Sequence, residues 1–436
     1  MRKKTLSLII SQLMVKSFFL FFVFCSSFKL IAQPNLGEVQ ANDTCYNELL
    51  KALNFNDGEN TLAMPILYLD VPYTLNLEFD MIEGTPRRLY YTLRYFEKNW
   101  QESPVDMLEV MDGLNEFEIN QFQTSFNTYS EYVHYIISLS PRQLGIKQTG
   151  NFLILVYDQD LNLYATRKFF VARSVFSASL KFVQPVDYSK INTHQSLNLI
   201  VNTASINVLN PKDEIQVEIY QNGNPQTKLV VHEPLFFSGN SLRYTKDDEI
   251  IFPGGKEFRG ANVRSILNRG LNVKYWDQKG SEFYCYLKPD EFRRFKNYIY
   301  LPDYNGKLVY TSPDVPISNV RTQSEYFYLN FKLAAKEKLD HDVYVYGLLS
   351  DWKLRNDLKM KYDETEKVYT ASIFTKNAYI DYAYATVDEN NQGILSEVDG
   401  NWSETENDYF VLVYYRPYGG RFDQLFMARK FNSNSQ

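Results

Sequence analysis

Four histidines serve the whole 436-residue chain, at His134, His194, His232 and His341. No two stand within five positions of each other and no cysteine lies at ligand spacing from them. Zinc sites are built from four closely spaced N and S donors, so this pattern offers no preformed one. Gly254, Gly255 and Lys256 come nearest to a phosphate-cradling loop, but no Ser or Thr follows the lysine. A tight turn ahead of a strand or short helix accounts for them. There is no Gly-x-Ser-x-Gly nucleophile elbow. Acidic groups such as Asp247-Asp248-Glu249 and Glu404-Thr405-Glu406 would make a glycosidase only if two carboxylates faced each other across ~5–10 Å. Solvated surface charge is the simpler reading. Asp158-Gln159-Asp160 lacks the glycine and closing glutamate of a calcium loop and reads as a plain turn. The sequence therefore assigns no catalytic, cofactor or metal residue, and the expectation is a protein that binds partners and does not catalyse.

Strands are the elements that must carry those residues. Leu75, Leu77 and Phe79 alternate with Asn76, Glu78 and Asp80, the period of two that marks a strand with one face in the core and one in water. Leu89, Tyr91, Leu93 and Tyr95 repeat the pattern, as do Leu197, Leu199 and Val201, and Val343 and Val345 between Tyr344 and Tyr346. Phe152 to Tyr157 and Leu163 to Val171 flank the Asp158 turn as a hairpin. Ile215, Val217 and Ile219 run into Asn222-Gly223, a strong hairpin signal because both residues tolerate positive φ. Helices look short. Ser103-Pro104 supplies a cap and a first-turn proline ahead of Met107, Leu108, Val110 and Met111. Breaks fall near Arg173 to Ala178 and across Thr311 to Ser324, where Pro313 and Pro316 interrupt apolar periodicity. The expected fold is all-β: three tandem immunoglobulin-like or early-set β-sandwiches over 34–172, 173–315 and 320–430.

Bulk properties agree with that reading. The 34 Tyr and 31 Phe raise aromatic content to 16%, a bias that suits pleated surfaces and, secondarily, partner-binding surfaces. Arg2, Lys3 and Lys4 precede an apolar run, Phe18 to Phe24. Lys16 and Lys29 bracket only twelve residues, short of the ~20 a spanning helix needs. Residues 1–32 read as an export signal cleaved after Ala32, and the bulky residues before Cys25 argue against lipid attachment there. Cleavage would remove Arg2, Lys3, Lys4, Lys16 and Lys29 from 46 basic residues and none of the 52 acidic ones, leaving a net charge of −11. That balance disfavours a nucleic-acid partner. Cys45 and Cys285 would remain, and their spacing gives no support to a disulfide.

Three stretches resemble one family, the periplasmic plug proteins of type IX secretion. The first is Trp100-Gln101-Glu102-Ser103, followed by Ser125-Phe126-Asn127-Thr128 and His134-Tyr135. The second is Phe252-Pro253-Gly254-Gly255-Lys256-Glu257-Phe258-Arg259, then Arg264-Ser265. The third is Glu406-Asn407-Asp408-Tyr409, then Tyr414-Tyr415-Arg416-Pro417 and Arg421-Phe422-Asp423. The sequence departs from the family pattern at Tyr95-Phe96, where a His-Cys pair is usual, and at Asn262, where aspartate is favoured. The resemblance implies a soluble periplasmic protein that caps the inner mouth of an outer-membrane translocon barrel, with no catalytic residues and no cofactor. Residues 325–390, through Val343-Tyr344-Val345-Tyr346-Gly347, Ser350-Asp351-Trp352 and Tyr379 to Tyr384, are similar to the early-set sandwich of glycogen-binding modules. That similarity opens an alternative, a periplasmic glycan-binding module protein acting through the C-terminal domain, with Trp352 in the first stacking place. No second tryptophan stands near Asn390-Asn391 to complete a stacking platform, so Trp352 reads as a packing residue. Intact-mass measurement on exported material is expected to show a chain beginning at or near Gln33, without a diacylglycerol on Cys25.

Overall fold

The computed structural model describes residues 36–58, 60–203, 206–390 and 392–434. The expected leader, 1–32, lies outside them. The chain from Val39 to Gln436 forms one compact unit, built of short strands with only four-residue α-helices and single 3₁₀ turns between them. The all-β expectation holds.

Among the described residues, six sheets pair face to face across the three largest of five clusters of buried side chains. In the first sandwich, one sheet runs Thr44–Cys45, Leu163–Ala172, Gly150–Asp158, Leu89–Phe96 and Phe117–Glu118, with Ile66–Tyr68 added in parallel to Leu163–Ala172. Its partner sheet orders Leu50–Asn56, Leu75–Met81, Val133–Leu139 and Gln121–Thr124. Leu75, Leu77, Phe79 and Met81 meet Leu89, Leu93, Phe152, Ile154 and Phe169 between them. The hairpin at Asp158 forms as expected. The Asp158 carboxylate accepts from the backbone N–H of Asp160 and of Asn162, at 3.0 Å each, a side-chain-closed turn.

Strand pairing crosses the boundaries drawn from the sequence. The middle sandwich sets Ser177–Val183, His194–Asn202, Ser241–Tyr244 and Phe236–Ser238 against a sheet of Leu229–Val231, Ile215–Gln221, Asp408–Tyr415 and Gln424–Asn432. Its second sheet is thus completed by the C-terminal hairpin, with Val217 opposite Val413 and Ile219 opposite Val411. The third sandwich takes Arg259–Asn262 onto Ala378–Val387, and Glu282–Leu287 lies parallel to Tyr326–Ala334. The divisions 173–315 and 320–430 therefore do not follow sheet membership. Local periodicity marks strands but carries no information about which distant strand completes a sheet.

Two local expectations also shift. The helix Met107–Val110 is capped by Asp106, whose carboxylate accepts from Leu108 N at 2.8 Å. Ser103 instead donates its hydroxyl to Glu97 at 2.5 Å. The Asn222-Gly223 hairpin joins Ile215–Gln221 to Leu229–Val231, with φ of 55° and 69° at the two residues. A 3₁₀ turn, Pro225–Thr227, extends the connection. The Thr311 to Ser324 stretch is docked by Ser265 to Asp314 (2.7 Å) and by Arg321 to Glu78 (2.6 Å).

Gly254 sits where a Cβ would lie 1.9 Å from the Trp402 carbonyl oxygen. Trp402 N in turn donates to Gly255 O at 2.9 Å. Backbone meets backbone there, so neither side can yield by changing a rotamer. Gly254→Ala is expected to lower the unfolding free energy by about 3 kcal/mol in urea titration, the upper range for overpacking.

Candidate joints and exposed surfaces

Two residues that sequence reading would place on a wet face, Glu78 and Asp80, are buried at a seam between two sandwiches. Asp80 is 0% exposed and Glu78 7% exposed, which overturns the expectation of a solvated face opposite Leu75, Leu77 and Phe79. Asp80 lies opposite His134 in the adjacent strand, and their Oδ1 and Nδ1 atoms are 2.6 Å apart. Across the seam, Tyr326 and Lys376 are themselves cross-strand partners in the third sandwich. Tyr326 OH donates to Asp80 Oδ2 at 2.6 Å and Lys376 Nζ at 2.8 Å. Glu78 extends the joint, taking Arg321 at 2.6 Å and lying 3.4 Å from His134 Nε2. Lys376 also rests over the Tyr132 ring at 4.2 Å, a cation–π contact strengthened by desolvation.

Burial opposes every charge in this joint, and pairing decides the outcome. Burial raises the Glu78 carboxyl, but hydrogen bonds from His134 and Arg321 bring it down to about 2. Asp80 is likewise raised by burial and held below the usual carboxylate range by Lys376 and His134. His134 is lowered by burial, but Asp80 and Glu78 lift it above the ordinary value. For Lys376, burial prevails over Asp80 and the ammonium is lowered.

A second joint ties the first sandwich to the C-terminal hairpin. Arg416 reaches both Glu97 and Asp423, at 2.8 Å to the latter, and Lys98 Nζ lies 3.1 Å from Asp423. Tyr95 OH donates to Asp423 O at 2.9 Å and Tyr414 OH to Asn151 at 2.7 Å. Tyr95, a departure from the family pattern, is thus a bridging residue. Within the third sandwich, Arg259 binds Asp399 at 2.5 Å and Asp290 at 3.0 Å, and Tyr382 and Tyr384 also donate to Asp290. Asn407 Nδ2 donates to Gly254 O at 2.9 Å. His134, Gly254, Arg259, Asn407, Arg416 and Asp423 all belong to the motif stretches singled out in the sequence. The structure assembles them as joints, while Lys376 and Tyr326, at the end of one strand and the start of another, carried no sequence signal.

The Asp80–His134 pair has the carboxylate–imidazole form of an oriented general base, and a cleft of about 540 Å³ runs beside it. However, the other imidazole nitrogen faces Glu78, and no hydroxyl or thiol is paired with the ring among the described residues. Among those residues no group of three or more His, Cys, Asp or Glu is arranged to hold a metal ion. Cys45 is exposed, Cys285 is buried, and both are free. Trp352 is only 4% exposed, packed edge-on against Phe258 and Tyr346, so it cannot offer a face to a sugar.

The exposed apolar side chains concentrate elsewhere. Residues 291–304 cross the surface without strand pairing. They are fastened by Arg293 to Asp399 and by Tyr298 to Glu257, while Phe295, Ile299, Tyr300, Leu301 and Tyr304 face solvent.

Residues 50–173 match the family described as type 9 secretion system plug protein 1st domain. No curated protein matches the chain. The crystal structure of a hypothetical protein from Parabacteroides merdae aligns with a TM-score of 0.85 at 24% identity, over 91% of this chain and 100% of that one. That likeness shows the fold. No helix of the described residues is long and apolar enough to cross a membrane.

Acid titration should move stability in two opposite steps. Burial and then Asp381 push Asp303 up to about 7, and burial pushes Asp381 up to about 6, against an ordinary 3.8. The folded chain therefore holds protons that the unfolded chain releases, so stability rises as pH falls from 7 towards 4. Raised His134 acts in the same direction, since its contribution is lost as pH rises through its folded value. Glu78 and Asp80 are lowered, so their contribution is complete above about pH 4.5 and is lost as pH falls towards 2. Urea midpoints are expected to be higher at pH 5 than at pH 7.5 and to collapse by pH 3. Asp303→Asn should flatten the upper limb. Lys376→Met should cost about 3–5 kcal/mol, the range for stranding a buried charge, whereas Lys361→Met on the exposed edge should change stability by less than ~0.5 kcal/mol.

Proposed function

We propose that this chain is a non-catalytic periplasmic protein that caps the periplasmic opening of the type IX outer-membrane translocon barrel and so prevents leakage. The observation that carries the reading is the plug-family match over residues 50–173. Occlusion needs bulk, stiffness and a complementary surface, and no reacting group. A chain whose buried ionic joints fasten one sandwich to the next suits a body that must not hinge under load. Exposed Phe, Tyr and Leu side chains such as Phe295, Tyr300 and Leu301 are of the kind that anchor protein interfaces at ~2 kcal/mol or more each.

Burial of Trp352 leaves glycan binding through it without support. A tagged protein purified from its native host is expected to bring down a barrel of very high mass. Deleting its gene should make the outer membrane leakier to large antibiotics such as vancomycin, with cargo secretion at least partly retained. Unchanged permeability together with no co-purifying barrel would refute the capping role.

A further inference from the structure

A cavity of about 200 Å³ lies where strands of all three sandwiches converge, with Leu53, Phe55, Met64, Phe170, Tyr220 and Leu308 among its walls. Two of the four tryptophans also line it. Both stand in the left-handed backbone region, Trp100 at φ 64° and Trp352 at φ 55°, as does the neighbouring wall residue Asp351 at φ 54°. Side chains other than Gly, Asn and Asp rarely adopt that conformation, and such strain collects at ligand sites. Trp352 is held in place by Gly306, where a Cβ would fall 2.4 Å from its ring.

Polar groups on the same walls are unevenly satisfied. Arg167 is paired with Asp351 at 3.0 Å, and Lys228 with Glu218 at 2.5 Å. Lys168 differs. Its backbone N–H donates to Asp43 at 2.6 Å, but its ammonium only faces the Trp100 ring at 4.3 Å and has no hydrogen-bonding or ionic partner among the described residues. Burial, opposed by Asp43 and reinforced by Lys353 and Lys228, lowers its pKa. The indole Nε1 of buried Trp352 also lacks an acceptor. One mostly apolar cavity thus has on its wall an ammonium with no hydrogen-bonded protein acceptor among the described residues.

We infer that this cavity is a binding site for a small amphiphilic anion, its carboxylate meeting Lys168 and its apolar body lying against Phe55, Met64 and Phe170. Size sets the class. About 200 Å³ equals roughly seven waters at ~30 Å³ each, enough for an acyl chain of eight carbons. The site is independent of the capping role, since it rests on the junction's own geometry.

The test is calorimetry on the leaderless full chain with octanoate, octan-1-ol and maltoheptaose, alongside Lys168→Gln and Lys168→Arg, each variant first checked for an unchanged far-ultraviolet spectrum. Octanoate is expected to bind one to one, with octan-1-ol at least tenfold weaker. Lys168→Gln should weaken octanoate at least tenfold and Lys168→Arg should restore most of it. Equal affinity for octanoate and octan-1-ol, octanoate affinity unchanged in Lys168→Gln, binding of maltoheptaose alone, or no binding at all would each overturn the proposal.

Discussion

Asp80 is a carboxylate without access to water, and the donors that neutralise it come from two sandwiches. His134 belongs to its own sheet; Lys376 and Tyr326 belong to the third sandwich. An ionised carboxylate in such a place is tolerated only while its partners stay in hydrogen-bonding reach. Separating the two sandwiches would strand Asp80 on one side and Lys376 on the other. The arrangement need not make the protein more stable than an apolar seam would, but it fixes a single relative placement, since only one register satisfies all four groups at once.

The chain's connectivity reinforces that placement. Because Asp408–Tyr415 and Gln424–Asn432 complete the sheet begun by Ile215–Gln221, the middle sandwich cannot finish folding until the C-terminus has been made. The same hairpin presents Arg416 and Asp423 to Glu97 and Lys98 and buries Phe410, Leu412 and Leu425 against Ile66 and Phe170. The last strands thus close one sandwich and fasten another. Pairings this distant in sequence carry a high loop-closure cost, so slow folding is the natural consequence.

The motif residues acquire a common meaning in this frame. A glycine that admits the Trp402 backbone, an arginine held between Asp290 and Asp399, and an asparagine that reaches Gly254 O each need one side chain and no other at a crowded seam. Residues of that kind mark an assembled shape. The raised carboxyls of Asp303 and Asp381 fit the same account: close packing has taken them out of water, and hydrogen bonds from Tyr304 N and Gly306 N only partly compensate Asp381.

What the sequence determined by itself was local. Leu75, Leu77 and Phe79 announced a strand, Asp158 a turn and Asn222-Gly223 a hairpin, because side-chain period and backbone tolerance act over a few residues. The motif stretches also pointed to the plug family whose first-domain model matches residues 50–173. Tertiary structure alone decided the environment of the other strand face. Asn76, Glu78 and Asp80 read as solvent-facing because alternation separates apolar from polar residues and cannot separate water from a partner's ammonium. Lys376 and Tyr326, 296 and 246 residues away along the chain, supply the charge and the hydroxyl that make burial of Asp80 tolerable. Likewise Trp100 and Trp352 belong to unrelated stretches of sequence, and only packing brings both to one cavity beside Lys168.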